Sequence, residues 1–585
     1  MIQKILLGLV LVGPVYSQEV TPNLRNVTTF SDLSSHILSA TNGSVRPTQE
    51  SFLAFKINQR KREATPILPE DNPDLIHSLF ETDVEMMIRH AGTEDFVSAK
   101  KKYYGSQTYN RLTQRYSRSY VYPSDWMSLN HNPIRKLDLP MGVYGQQFVP
   151  LEEKVIAHSP LITTEFNQKL DTITGTELTA GNKMRLLNNG EFSYREKVRM
   201  VKEAKKFFHS VVMVQYCDES NSEIVDAMIE KARSGVDVRL MVEAVWTKAV
   251  LNKCLKKLRA GGVKVTLGGG FFNPKTMFTV HHTKFWIRDG EEAIIGGQNM
   301  HDFENNSNGF NNHTRDKDVH VTGPAVTDML REYIRIWNHE RGTDPTMDQY
   351  KSVVAKLETQ ERARGLRGKE LYDQWLNQEV SSIPGVCRVL IQGTKTTSTP
   401  MIITNAYIEM IKNTKYSMII NTPTLRYNEN KANRQYNSKI VKGMLDAAKN
   451  GVKLDMISNG PDGGWGEAGY QLRALAKKLR RKGKPGIAKI FEGMDSLMAN
   501  VIGRIQRNDL AELIKVPNVD SWMYFNHLHS KQMMFDHIVT STGSFNLDVH
   551  SYKNHESTMI CIDKDLADQS LKGFVSDIVN SVPVL

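Results

Sequence analysis

Apolar and polar positions fall into a regular pattern only from about residue 164 onward. Upstream, residues 18–163 are polar with little sustained periodicity, so no fold is predicted for them. From there, short β-rich runs alternate with stretches of helical spacing. The spacing predicts strands at 211–216, 236–242, 263–267, 284–288 and 292–295. It predicts a helix at 222–234, where Ile224, Ala227, Met228 and Ala232 share a face and Gly235 stops the helix. Another is predicted at 249–260, stopped by Gly261-Gly262. A second series runs in the same order, with strands at 416–421, 452–457, 487–491, 531–535 and 538–541 and helices at 437–450 and 470–481. Strands alternating with helices imply a largely parallel sheet covered by helices.

The two series also share wording: Ala232-Arg233-Ser234-Gly235-Val236 returns as Ala448-Lys449-Asn450-Gly451-Val452. That points to an internal duplication. Between them 346–378 is charged and helix-prone, and Ile383-Pro384-Gly385 carries turn chemistry. The expected fold class is α/β, with duplicated domains at 164–345 and 384–585 joined by a helical linker at 346–383. Each domain is expected to be a mostly parallel mixed sheet flanked by helices. A chain of 585 residues exceeds what one core usually organises, which agrees with two domains.

Composition adds a location and a class of partner. Residues 1–17 have the form of a signal peptide, with Lys4, an apolar core at 5–12 and a cleavage position before Gln18. The expected location is therefore periplasmic or secreted, soluble or peripheral at a membrane. An uncleaved anchor is the lesser reading, since the apolar run is short for a membrane span. The net charge of +11 suits anionic partners, phospholipid headgroups or nucleic acid, although surface charge also keeps proteins soluble. Residues 100–122 interleave basic residues with tyrosines, a mixture suited to a membrane surface, to nucleic acid or to packing on the next domain. The basic run at 477–482 is most simply a helix end, with a lipid-surface role as the sharper alternative. The Gly-rich 460–466 lacks the Gly-Lys-Ser/Thr of a phosphate loop and suits a turn or cleft rim. None of the four cysteines forms a C-x-x-C pair; Cys217 and Cys561 lie in apolar surroundings, where buried free thiols are expected.

Each series contains one H-x-K-x4-D string. His282, Lys284 and Asp289 precede Gly296-Gly297-Gln298-Asn299, while His529, Lys531 and Asp536 precede Gly543-Ser544-Phe545-Asn546. The Asn follows its His at one offset in both copies (299 − 282 = 546 − 529 = 17). On a strand, a Lys two places after a His projects from the same face, so its ammonium can neutralise a phosphate oxygen beside that ring. The asparagines can donate to the same oxygens, and the glycines allow close backbone approach. Two such sets face to face put two His and two Lys around one phosphodiester, one imidazole attacking phosphorus and the other protonating the departing oxygen. Neutral attacker and charged acid together give a bell-shaped pH profile. His281-His282 and His527/His529 also suit a metal, but adjacent strand residues face opposite ways and the Lys repels a cation. No metal and no other cofactor is expected.

These residues resemble the phospholipase D superfamily, whose signature is this duplicated string with a trailing G-G/S-x-N. The likeness spans about 164–585. Thr174-Gly175-Thr176-Glu177-Leu178-Thr179-Ala180-Gly181-Asn182 and Asp318-Val319-His320-Val321-Thr322-Gly323-Pro324 resemble the cardiolipin synthase branch. The resemblance implies a covalent phosphohistidine, no metal requirement, and two α/β domains sharing one active site at their interface. By position it makes His282 and His529 the catalytic pair and Lys284, Lys531, Asn299 and Asn546 phosphate ligands, with Ser544 in support. Glu556 matches an acidic residue that orients a histidine, and Asp318 is its first-half counterpart at a longer spacing (318 − 282 = 36 against 556 − 529 = 27). Asp289 and Asp536 are expected to orient structure. Family precedent makes His282 the attacker and His529 the acid; the residues leave that order open. The expected function is an exported phosphodiesterase or phosphatidyltransferase acting on phospholipids, passing its intermediate to water or an alcohol. A nuclease and a non-enzymatic surface-binding protein are the alternatives.

Overall fold

A computed structural model describes residues 153–583 apart from 219, 245, 248–251, 270–279, 306–313, 342–343, 376–384, 394–400, 426–434, 460–474, 477–478, 492, 495–512, 514–515, 517, 525–526, 549–550, 552–553 and 579–580. The segment expected to be a signal peptide (1–17), the basic–tyrosine stretch at 100–122, the Gly-rich 460–466 and most of the helix expected at 470–481 lie outside the described residues.

Two mixed sheets form. The first contains β1 (Lys183–Leu187), β2 (Phe207–Val212), β3 (Asp237–Glu243), β4 (Lys264–Gly268), β5 (Phe285–Arg288), β6 (Glu292–Gly296) and β7 (Asp318–Thr322), in the order β1-β7-β6-β5-β2-β3-β4. The second contains β8 (Val386–Gln392), β9 (Ser417–Thr422), β10 (Lys453–Asn459), β11 (Val519–Tyr524), β12 (Gln532–Phe535), β13 (Val539–Gly543), β14 (Glu556–Ile562) and β15 (Ser581–Pro583). Its order is β8-β14-β13-β12-β9-β10-β11-β15, the first sheet's order with one edge strand added.

The duplication and the α/β class are as the sequence pattern predicts, but the sheets are less parallel than expected. Parallel pairing is confined to β2-β3-β4 and β9-β10-β11, where a crossover separates the strands. The strands that directly follow the His-Lys pairs, β5 and β12, run antiparallel to both neighbours. The motif aspartates explain this. Asp289 and Gly290 (φ 54° and 74°), like Asp536 and His537 (φ 49° and 55°), are left-handed pairs that turn a tight hairpin, and a hairpin joins antiparallel strands. The Asp289 carboxylate also accepts from the Lys205, Lys206 and Phe207 N–H groups at 2.7–2.9 Å, fastening the hairpin to the start of β2. Asp536 grips Tyr416 (2.7 Å) and Ser417 (3.1 Å) at the start of β9 in the same way.

The longer helices are α1 (Thr164–Thr174), α2 (Gly190–Glu203), α3 (Ser222–Arg233), α4 (Lys253–Ala260), α5 (Pro324–Arg341), α6 (Asp348–Ala363), α7 (Ile402–Asn413), α8 (Gln435–Lys449) and α9 (Lys564–Ile578). Three departures from the expected layout concern packing. First, α1 is not part of the first half's core. Phe166 and Leu170 join Ile403, Tyr407 and Met410 of α7, Lys169 pairs with Glu409 (2.6 Å), and buried Arg388 pairs with Asp171. Second, α6, expected as a linker, buries Tyr350 and Val354 in the first half's core, and the Tyr350 hydroxyl donates to Asp237 (2.6 Å). Third, residues 485–491 are helical rather than a strand. β10 already has β9 and β11 on its two sides, so no sheet position is open beside it.

The cysteines correct a fourth expectation, since all four are bridged: Cys217 to Cys254 and Cys387 to Cys561. Cys387 and Cys561 are direct partners in the β8–β14 register, a neighbour relation that their separation of 174 residues conceals. That pair sits in a core continuous across both halves, with β8 residues Val389 and Ile391 and β14 residue Met559 packed among Phe285, Ile295, Val319 and Tyr333. The halves are therefore locked together by buried apolar surface, which is what brings two distant motifs to one place. Among the described residues no helix is long and apolar enough to cross a membrane.

Candidate active site

The two histidine segments are stitched to each other's half by backbone hydrogen bonds. His282 N–H donates to the His555 carbonyl (2.9 Å), and His555 N–H donates to Val280 (3.0 Å). Reciprocally, His529 N–H donates to the Arg315 carbonyl (2.7 Å), and Arg315 N–H donates to His527 (2.7 Å). Each histidine thus follows a short parallel bridge to the other half, His281 with His555 and Arg315 with Leu528. Gly297 belongs to the first half's Gly-Gly turn, and a Cβ there would meet Asp316 Oδ1 at 2.7 Å and the His529 carbonyl at 3.1 Å. Only glycine lets that turn lie against the opposite histidine.

The rings are held the same way. Nδ1 of His282 lies 2.9 Å from Glu556, which comes from the second half. Nδ1 of His529 lies 2.8 Å from Asp316, which comes from the first. Glu556 therefore contacts the histidine of the other half. Its first-half counterpart is Asp316, not Asp318. Strand register explains the shift: Gly296 pairs with Asp318 across β6–β7 and Gly543 with Thr558 across β13–β14, so the residues two places earlier, Asp316 and Glu556, are equivalent. Seven extra residues on the first-half path (316 − 282 = 34 against 556 − 529 = 27) hid this in the linear spacing.

Asp318 has a different task. Its fully buried carboxylate accepts from Lys197 Nζ (2.8 Å), Ser193 Oγ (2.5 Å) and the Gly297 N–H (2.9 Å). It braces the Gly-Gly turn. Arg315 and Lys317, projecting opposite to Asp316, both grip Asp577 of α9 (2.5 and 2.7 Å), which aims Asp316 at His529.

The remaining residues named from the sequence lie close by. Lys284 Nζ donates to the His282 carbonyl (2.8 Å), and Lys531 Nζ to the His529 carbonyl (2.5 Å). Ser544 Oγ donates to Glu556 and accepts from Ser557 N–H (2.9 Å), bracing the His282 partner. Asn299 presents its amide beside Glu304, donating from Nδ2 (3.0 Å), while its Oδ1 accepts from Val214 N–H (3.2 Å). Asn546 is half-buried, and its buried Oδ1 has no hydrogen-bond partner among the described residues.

Sequence reasoning missed Glu304 altogether. On the short helix Asp302–Asn305 it is almost fully buried, lies 3.6 Å from His529 Nδ1 and accepts the Asn299 N–H. Only one feature of the sequence marks it, an acid five residues after a motif Asn. The second-half residue at that offset is Ser551, whose hydroxyl accepts the Asn546 N–H at 2.9 Å.

Burial dominates the electrostatics. It pushes both imidazoles below the usual histidine value, His529 well below, against the pull of Glu556 on His282 and of Glu304 on His529. Burial, helped by nearby Lys531, lowers Lys284 to about 7. Burial likewise lowers Lys531, opposed by Asp316. Burial would raise Glu304, but His529, His301 and the Asn299 N–H outweigh it and hold that carboxyl well below the usual range. Glu304, Asp316 and His529 bring donor atoms within 4.8 Å of one another, as a metal would require. The two buried ammonium groups beside them favour an anion instead. The site is thus two neutral-prone rings, each with Nδ1 held by a carboxylate, and two buried lysines whose ammonium groups make no direct ion pair among the described residues. A phosphodiester is an anion of the kind such buried ammonium groups can hold.

Known proteins can now be compared with this geometry. The family described as "Cardiolipin synthase, PLD-like domain" matches residues 198–337 and 407–578, more than half of the chain. Cardiolipin synthase of Clostridium perfringens (strain 13 / Type A) is 22% identical over 73% of this chain and 76% of its own length. The major cardiolipin synthase ClsA of Bacillus subtilis (strain 168) is 21% identical over 69% of this chain and 70% of its own. A crystal structure of phosphatidylserine synthase from Haemophilus influenzae Rd KW20 shares 12% identity over 72% of this chain and 91% of that one, at a TM-score of 0.46. With the duplicated motifs gathered at one interface and the family match covering both halves, the chain belongs to the cardiolipin synthase branch of the phospholipase D superfamily.

Proposed function

We propose that this enzyme transfers phosphatidyl groups between alcohols through a phosphatidyl-histidine, outside the cytoplasm. One observation carries the mechanism: each Nδ1 is held by a carboxylate from the opposite half, which leaves Nε2 of both rings as the reacting atoms. Lys284 and Lys531 bind the phosphodiester oxygens, and the bound anion raises both ammonium pKa values. Nε2 of His282 attacks phosphorus; the P–N bond forms as the P–O bond to the first alcohol breaks, and His529 gives its proton to that oxygen. In the second step His529 takes the proton of an incoming alcohol, whose oxygen attacks phosphorus and expels His282. The assignment of acid to His529 is supported by its two carboxylates, Asp316 and Glu304, against the single Glu556 at His282. Once the lysines are neutralised by substrate, the imidazole facing more negative charge is the better proton holder.

Export is supported by the signal-like residues 1–17 and by the two disulfides, which persist in oxidising compartments. The test is to incubate the purified protein with phosphatidylglycerol, with and without glycerol, and weigh the products. Cardiolipin from phosphatidylglycerol alone, suppressed by glycerol, is expected. Phosphatidic acid as the sole product would replace transfer by hydrolysis. Cleavage of DNA or RNA with no lipid product would overturn the reading.

A further inference from the structure

The crossover from β10 to β11 holds 59 residues (519 − 459 − 1), against 20 (264 − 243 − 1) between the equivalent β3 and β4. Within it, residues 475–494 carry seven Lys or Arg and one acid, more than half of the chain's net +11. We infer that this stretch is a docking surface for a bilayer containing anionic phospholipid. The inference rests on the reading that the site acts on phospholipids.

Local geometry explains the shape. Helical residues at 475–476 and 479–481 end in a left-handed stop at Gly483 (φ 71°), where Gly483 N–H donates to the Arg480 carbonyl (3.0 Å) and Lys484 N–H to that of Leu479 (2.9 Å). Pro485 then opens a second helix at 485–491, with 493 and 494 also helical. Ile487, Ile490 and Met494 are spaced i, i+3, i+7 and form one stripe. They are 46%, 62% and 49% exposed, while Ala488 is fully buried on the opposite side. Leu475 on the preceding turn is also exposed. These four are most of the large apolar side chains left in water among the described residues. Arg481, Lys482, Lys484 and Lys489, within a few residues of the stripe along the chain, are also exposed.

An apolar stripe rimmed by cations is costly in water and satisfied at a membrane. Isoleucine and methionine enter the acyl boundary, and ammonium groups remain among phosphate headgroups. A nucleic acid would use the cations and leave the stripe wet. The crossover also leaves the sheet beside the site. Asn459, its last strand residue before the crossover, exchanges hydrogen bonds with Leu528, the neighbour of His529 (2.8 and 2.5 Å).

The test is flotation of the full chain with vesicles of phosphatidylcholine alone or mixed with phosphatidylglycerol. Two triple variants accompany it, Ile487→Ser/Ile490→Ser/Met494→Ser and Lys482→Glu/Lys484→Glu/Lys489→Glu. Thermal unfolding and turnover of a water-dispersed short-chain phosphatidylglycerol report on the fold and the site. The native chain is expected to float with anionic vesicles only, and each variant to lose about tenfold or more in vesicle affinity with its turnover of dispersed lipid unchanged. Native-like binding by both variants, or equal binding of neutral vesicles, overturns the inference. So does loss of duplex DNA binding in the lysine variant with vesicle binding intact. Loss of vesicle binding in the variants with no phospholipid turnover by any protein supports the surface and overturns the phosphatidyltransfer reading.

Discussion

The two halves share a strand order, a His-Lys pair, an Asn and an aspartate that closes a hairpin, yet they differ in what stands behind those groups. Behind Asn299 is Glu304; at the same offset behind Asn546 is Ser551. The first-half carboxylate partner is Asp316 and the second-half one is Glu556, reached by paths of different length. One crossover is short, while the other carries a basic, apolar surface. The groups proposed to touch phosphate are the ones duplicated faithfully, which suits one phosphorus approached from two opposite sides. The groups behind them differ, as the proposed mechanism requires, since attack and protonation need opposite charge states from chemically identical rings.

The largest break in that symmetry comes from the histidines. His282→Ala and His529→Ala are each expected to lower turnover by about ten-thousand-fold or more. Only the His529 variant should accumulate a phosphatidyl adduct on His282, seen by mass spectrometry of acid-quenched protein. An adduct on His529 instead would reverse the roles of the halves.

Next come the crossed carboxylates. Asp316→Asn and Glu556→Gln should each lower kcat by about a thousand-fold, because an imidazole without its Nδ1 acceptor adopts the wrong tautomer. Asp318→Asn tests the two-residue shift in the opposite sense. It leaves buried Lys197 unpaired and should cost about 3–5 kcal/mol in unfolding free energy, read by denaturant melts, before it touches chemistry. If Asp318→Asn left stability intact and removed activity, the register assignment would be wrong.

Glu304→Ser makes the first half imitate the second. Removing a negative charge beside His529 lowers the pKa of the proposed acid. The high-pH limb of the kcat profile should therefore move to lower pH, with kcat down about tenfold. For the native enzyme, burial holds His282 below the ordinary histidine value, so the attacking ring stays neutral to lower pH than a free imidazole. The low-pH limb of kcat/KM is accordingly expected below about 6.5. Rising pH above about 7 discharges Lys284 in the free enzyme and should raise KM. A monotonic kcat profile across the neutral range, with chemistry rate-limiting, would count against paired histidines.

The smallest effect concerns the fold alone. Reducing Cys387–Cys561 is expected to remove about 2–4 kcal/mol of stability. A lower Tm in dithiothreitol, with activity at 25 °C retained, would check it.

The sequence by itself determined the duplication, the α/β class and the His-Lys-Asn set, because each is written in local spacing: alternation for strands, helical periods with glycine stops, and an x between His and Lys that keeps both on one face. The tertiary structure alone decided which residues meet. Nothing in the linear order shows that Asp316 rather than Asp318 reaches His529, since that choice is made by the pairing of β6 with β7 after a longer loop. The same holds for α1 packing on the second half, for Cys387 facing Cys561, and for 485–491 being helical in a sheet with no vacant position. Local propensity acts over a few residues. Register, burial and contact across halves are properties of the closed core, and there the orienting carboxylates of this site are chosen.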